Sequence, residues 1–406
     1  MLNARHDRGV EAFERILNAV AGHGHRDPEA LAAALGPVPR ELTVAAHPRV
    51  RPFLLSVPSR TTGAVEPHHL VDRLTAYARL GITPGPADLG QALLRCGGGP
   101  ADPDVVTAAE RLELEEAPRV AAWLRQGGLP HPTSLREPEA GAPERSSRRR
   151  GARIGRRILV GHGAIEGRGV FPRRFWSLFR AFEPHIGCAH ASLPDGRDAH
   201  TVAVVPWHPE ITAARLLSGV ASAADQNGRG APAFLAAPAA ADGPPGPAVH
   251  LALAYGLASV PDEDRRAAVG ALARLVARGR LDGALLGREL AELVALGTLK
   301  VPLLTESLRA AAAHPRAGPG LWPVLAGALP GLLASTRPQA HAALLAIAAD
   351  SARDPAAHGE LPEVTALAQR PGSSQLLIQA RRLRDTLAAH PATGQSWTPP
   401  HSTVVE

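Results

Sequence analysis

The feature that most narrows the fold is a short internal repeat. "LARLVARGRLD", Leu272 to Asp282, and "LAELVALGTLK", Leu290 to Lys300, agree at seven of eleven positions with an offset of 18 residues. An offset of that size holds one helix and a turn. The pattern therefore predicts a helical hairpin whose two members use the same packing code. Segments of the same character follow: "VPLLTESLRAAAAH", "LWPVLAGALPGLLAS", "AHAALLAIAADSA" and "SSQLLIQARRLRDTLAAH". None is long enough to persist alone in water, so each must bury a face on its neighbours.

The rest of the chain supports the same class. Aromatic residues make up only 3%, and the apolar share is mostly Ala, Leu and Val, which favours helix over strand. Forty glycines and 39 prolines punctuate it. "EPHHLVDRLTAYARLG", "PADLGQALLRCGGG" and "APRVAAWLRQGG" each carry proline near the start and glycine at the end, a helix with its start and stop signals. The predicted fold is mainly α, a helical-repeat, solenoid-like stack with a small irregular or β insertion in the middle.

The chain's 406 residues exceed what one core usually fills. The expected divisions are a helical bundle over 1–136, a disordered Arg/Pro-rich linker over 137–157, and an irregular α+β region over 158–247. A helical-repeat block over 248–390 and a disordered tail over 391–406 complete the series. Within the middle, "RILVGHG" and "HTVAVVPWH" read as short strands, "HPEITAARLLSGVASA" as helix, and "APAFLAAPAAADGPPGPA" as a second break.

The stretches "FLLSVPSRTTGAVEPHHLVDRL", "GPADLGQALLR", "AVGALARLVARGRLDGALLGRELAELVALGTLKVPLLTESLRAAA" and "PGSSQLLIQARRLRDTL" resemble a family of large actinobacterial helical proteins described only as domains of unknown function. The resemblance implies the C-terminal portion of such a protein, over most of 50–136 and 250–388. Its matching positions are Leu, Ala and Gly, so it transfers no catalytic residue.

Charge is concentrated in one place. Residues 145–174 hold ten Arg and a single acid, Glu166, so +9 of charge lies in a chain whose total is +6. Arg148, Arg149, Arg150, Arg153, Arg156, Arg157, Arg173 and Arg174 are candidate contacts for phosphate or another anion. Directly after them, "FPRRFWSLFRAF" spaces Phe171, Phe175, Phe179 and Phe182 by four, four and three residues, along one face of a helix. That face either packs into a core or offers rings for stacking on bases. His185, Cys188 and His190, in "HIGCAH", with His200 and His208 nearby, are soft and borderline donors close enough to suggest a metal-dependent enzyme, although no paired CxxC or HExxH accompanies them. "RILVGHGAIEGRG" imitates a dinucleotide loop, but its spacing is one residue too long and Pro172 stands where the helix should run. A glycine-rich turn is the reading kept.

No GxSxG elbow and no P-loop is present, so neither catalytic residues nor a cofactor is expected. The reading carried forward is a non-catalytic scaffold or adaptor for protein partners. Binding of nucleic acid or an anionic surface is the alternative, and the metal-dependent enzyme the second alternative. "MLNARHDRGVEAFERIL" is charged where a signal peptide needs an apolar run, and no stretch approaches the roughly 18 apolar residues of a membrane span. The expected location is the cytoplasm.

Overall fold

A computed structural model of the chain describes residues 53–140, 157–184, 202–226, 231–334, 341–352 and 361–389. It is mainly helical, with a two-stranded sheet. The chain divides into two compact units: Met1–Leu54 with Ala76–Thr83, and Leu55–Thr75 with Pro84–Glu406. In the first, Tyr77 is buried, stacks edge-on against Phe53 and donates its hydroxyl to the Phe53 carbonyl at 2.5 Å. Helix α1, Pro67–Arg79, ends there at Gly81.

The second unit continues with α2 (Pro86–Arg95), α3 (Pro103–Glu110) and α4 (Ala117–Gln126). Two strands follow, β1 (Ser134–Ala140) and β2 (Arg157–His162). They pair antiparallel from Ser134 opposite His162 to Ala140 opposite Arg157, with an irregularity between Glu137 and Ala140. The expected linker over 137–157 is thus corrected at both ends, which are strand. Glu, Arg and Pro are poor strand formers, and what holds β1 is remote. Arg136 donates to both oxygens of Glu289, at 2.5 and 3.0 Å, and to Glu292 at 2.5 Å. Its neighbour β2 is buried throughout.

Among the described residues ten helices follow: α5 (Pro209–Gln226), α6 (Ala231–Ala240), α7 (Pro247–Leu257), α8 (Asp262–Ala277), α9 (Gly283–Ala295), α10 (Val301–Ala313), α11 (Leu321–Leu333), α12 (Ala342–Ser351), α13 (Pro362–Ala368) and α14 (Gln375–Ala389). Each packs on the next but one: α5 on α7, α7 on α9, α9 on α11, α11 on α13, and α6 on α8, α8 on α10, α10 on α12, α12 on α14. One cluster of buried side chains runs from Ile158 to Leu383, so the expected middle region and C-terminal block share a core.

Two expected features of the middle differ. Val202 to Val204 are helical and Pro206 lies in a turn, because Pro206 lacks a ladder N–H and its carbonyl is taken by the N–H groups of Asp242 and Gly243. The second expected break contains α6, an alanine-rich helix that carries Pro238 in its last turn, at the expense of one helical N–H donor.

The internal repeat has a specific meaning in this packing. In both copies glycine takes a left-handed conformation, Gly279 at φ +63° and Gly297 at +76°. In both, the residue after it donates back to a leucine carbonyl, Arg280 to Leu275 and Thr298 to Leu293. This is the six-to-one closure of a helix C-terminus. The copies do not form the expected hairpin: α8 packs on α6 and α10, whereas α9 packs on α7 and α11. The repeat encodes how two helices end, not a contact between them.

The pairing of α9 with α11, in which the two backbones touch, is built from a different pattern. "GALLG" (Gly283 to Gly287) faces "GALPG" (Gly327 to Gly331). A Cβ on Gly287 would lie 2.2 Å from the Val324 carbonyl oxygen, and one on Gly327 would lie 2.8 Å from that of Ala284. Small residues four apart on both helices let the backbones touch.

The Phe-rich stretch resolves toward the core. Arg173–Phe179 is a 3₁₀ helix begun by Pro172, in which Phe175, Leu178 and Phe179 are buried. Phe171 is buried too and packs against Trp123, Phe175 and Phe179. Phe182 leaves the helix to form an isolated bridge with His162. The "RILVGHG" strand is β2, and Gly161 within it lies where a Cβ would strike the Phe182 carbonyl oxygen at 2.1 Å.

Candidate functional site

The residues singled out from sequence separate. Arg148, Arg149, Arg150, Arg153 and Arg156 lie outside the described residues, as do His185, Cys188 and His190. Arg157 opens β2 and is 4% exposed, so it is not a surface contact for an anion. It belongs to a strand in the core and not to the linker. Arg173 and Arg174 are exposed. Arg173 and Arg168 lie over the Trp176 ring at 5.6 and 4.8 Å. The phenylalanines beside them are buried and offer no stacking platform.

The chemistry-bearing cavity of the described residues lies elsewhere in the second unit. Helix α2 ends at Arg95, and its last carbonyls are closed by two indoles. Trp123 Nε1 donates to Leu93 O at 2.9 Å and Cys96 O at 3.1 Å, and Trp207 Nε1 donates to Arg95 O at 3.1 Å. The chain then turns through Gly97–Gly99. Helix α4 ends alongside at Gly127, whose carbonyl accepts from the Gly99 N–H at 3.4 Å. A Cβ on Gly127 would sit 2.6 Å from the Gly99 carbonyl carbon, so the two turns touch. From Gly128 the chain runs through Leu129 and Pro130 to His131, while Pro206 to His208 arrive from the other side ahead of α5. The loop at Asp242 closes the wall through its bonds to the Pro206 carbonyl.

These segments enclose a cleft of about 440 Å³. His131 stands exposed at its rim and His208 is 3% exposed within it. Their ring centroids are 4.8 Å apart and their planes tilt by 55°. Burial pushes His208 down to about 3, with the neighbouring His131 adding to the effect, and burial lowers His131 as well. Both imidazoles are therefore neutral at pH 7. His208 Nδ1 is buried with no hydrogen-bond partner. The Asp242 carboxylate also lines the cleft, but its oxygens are engaged by Arg278 at 2.8 Å, by the Thr62 hydroxyl, and by Arg60 at 3.9 Å. Trp207 is fixed between the Gly97–Gly98 backbone and the Arg60 guanidinium.

Sequence reasoning missed this cleft because its two histidines stand 77 positions apart. The signal available was local: each is bordered by proline, in "GGLPHPT" and "PWHPE", and His208 closes a turn on the Val205 carbonyl. Cys96 beside it is inert, its thiol pushed up to about 12 by burial and the nearby Glu66 charge. Among the described residues no group of three or more His, Cys, Asp or Glu side chains is placed to hold a metal ion, and no helix is long and apolar enough to cross a membrane. No protein-family model, curated protein or solved structure matches the chain.

Proposed function

We propose that the protein is a non-catalytic helical scaffold that recognises protein partners along its stacked helices. The observation that carries this reading is the packing order, in which every helix from α5 to α12 rests on the next but one. That order is what a two-layered, solenoid-like stack requires, and such stacks expose long rows of side chains suited to extended partners. Between α8 and α10 runs a groove of about 300 Å³ with Asp262, Arg266, Glu306 and His314 along it. The side chains of Asp262, Arg266 and Glu306 are 58%, 74% and 59% exposed. Mixed charge of that kind matches a partner segment that carries both signs, and it selects partners more than it tightens them.

The test is affinity capture from the native cell with the intact chain, with Arg266→Glu plus Glu306→Arg, and with Gln at Arg148, Arg149, Arg150, Arg153 and Arg156. The expected result is a defined protein partner that is lost with the groove variant and kept with the Gln variant. Helical circular dichroism should be unchanged in both. Partners insensitive to the groove variant, or capture of nucleic acid that falls steeply with salt and disappears in the Gln variant, would transfer the function to the basic segment.

A further inference from the structure

The histidine pair has a geometry that the scaffold reading does not use. Two imidazoles bound to one ion at about 2.0–2.1 Å, with a roughly tetrahedral angle between them, bring their ring centroids to about 5 Å and tilt the planes apart. His131 and His208 stand at 4.8 Å with a tilt of 55°. That tilt is far from face-to-face stacking, and no hydrogen bond joins the two rings. A buried ring nitrogen without a partner is unusual, since buried polar atoms are nearly always satisfied. His208 Nδ1 is such an atom.

We propose that His131 and His208 form a two-histidine site for a borderline divalent transition-metal ion of the Zn²⁺, Ni²⁺ or Cu²⁺ class, with the remaining coordination positions facing the cleft. Imidazole nitrogen suits these ions and not Mg²⁺ or Ca²⁺. An imidazole in its neutral form offers one ring lone pair to such an ion. Access is open on the His131 side, because that residue is exposed and the cleft of about 440 Å³ reaches it. Asp242 is not counted as a ligand, because Arg278, Thr62 and Arg60 already engage both its oxygens. With two uncharged protein donors the site is expected to follow the Irving–Williams order, Cu²⁺ above Ni²⁺ and Zn²⁺, and to leave room for water or a small ligand on the ion.

The experiment uses the full chain, stripped with a chelator and dialysed. It is titrated separately with Cu²⁺, Ni²⁺ and Zn²⁺ against a chromophoric competitor, and the Cu²⁺ form is examined by electron paramagnetic resonance. His131→Ala is the principal variant, because an exposed side chain can be removed without disturbing the core, and His208→Ala is the second. A His185→Ala plus His190→Ala variant controls for the other histidine-rich stretch. The expected result is one ion per chain with nitrogen hyperfine structure from two imidazoles. Affinity should fall about tenfold or more in His131→Ala, given that even outer-shell changes cost ten- to a hundred-fold. The control should bind as the intact chain does, and His131→Cys, which restores a donor, should recover Zn²⁺ binding. Unchanged affinity and spectrum in His131→Ala, binding lost instead in the control, or no binding by the intact chain would each overturn the proposal.

Discussion

Helix α7 carries the sharpest test of how this core is specified. Every residue from Ala248 to Leu257 is buried, and Tyr255 lies fully inside. Its hydroxyl donates to the Ile158 carbonyl at 3.0 Å and accepts from the Ile158 N–H at 3.0 Å. Ile158 stands between the Leu159 and Arg157 pairings, opposite the irregularity in β1, so a side chain supplies what the neighbouring strand does not. Tyr255→Phe removes one oxygen and strands a buried donor and a buried acceptor. Each such orphan costs about 1–3 kcal/mol, so with partial relaxation the pair is expected to cost about 2–4 kcal/mol. Urea unfolding followed by circular dichroism reads this as a lowered midpoint with an unchanged slope. Hydrogen exchange localises it, with the Ile158 amide expected to exchange at least about tenfold faster. A loss under about 0.5 kcal/mol with Ile158 still protected would refute the claim that the hydroxyl completes the strand.

His250, also on α7, accepts from the Asp282 N–H through Nε2 at 3.1 Å, and its Nδ1 lies 2.7 Å from the Gly246 carbonyl, fixing Nδ1 as the protonated nitrogen. Burial is the main cause that lowers it below the ordinary 6.5, opposed by the Gly246 bond and the Asp282 charge. The unfolded chain therefore takes up the proton first, and the stability from this group is full above pH 6.5 and lost as pH falls below it. The slope from this group is at most about 1.4 kcal/mol per pH unit. In His250→Gln, urea midpoints at pH 7 and pH 5 should lie closer together than in the parent, and equal separations would contradict the assignment. Gly287→Ala should destabilise by about 1–3 kcal/mol or more, since its Cβ would stand 2.2 Å from the Val324 carbonyl oxygen. Gly270→Ala on α8, where a Cβ meets nothing, should instead stabilise by about 0.5–1 kcal/mol. Thermal melts of the two variants moving in the same direction would refute the contrast.

What was legible in the sequence was what is local. Pro67, Pro86 and Pro118 at helix starts and Gly81, Gly127, Gly279 and Gly297 after helix ends act through neighbouring backbone, so they can be read from a window of a few residues. Helix α3 was passed over even though Asp102 caps it, accepting from the Asp104 N–H at 2.8 Å, with Pro103 at its first position. Strand β1 was not legible, because "SLREPEA" has no strand composition and is held through an Arg136–Glu289 pair 153 residues apart. The histidine cleft was hidden for the same reason. The Phe stretch was half legible: Phe171, Phe175 and Phe179 are buried together, but the expected helical face does not form, because Phe171 precedes Pro172, the tight 3₁₀ turn holds only Phe175 and Phe179, and Phe182 goes into a bridge with His162.

The polar residues of α7 suggest why a core so dominated by alanine and leucine still settles into one arrangement. Apolar faces of such similar shape could slide past one another by a turn at little cost, since volume and pattern are nearly preserved. Tyr255 and His250 forbid that, because any shift of α7 along its axis would break three hydrogen bonds to the backbones of β2 and of the start of α9. Glu210 on α5 adds three more, accepting from Gly246, Ala248 and Val249 at 2.8, 2.8 and 3.0 Å, and so closes the N-terminus of α7. A few fully satisfied polar contacts thus fix the register of a helix whose apolar surface alone leaves it free. The two substitutions on this helix are therefore expected to loosen where α7 sits as well as to weaken the fold.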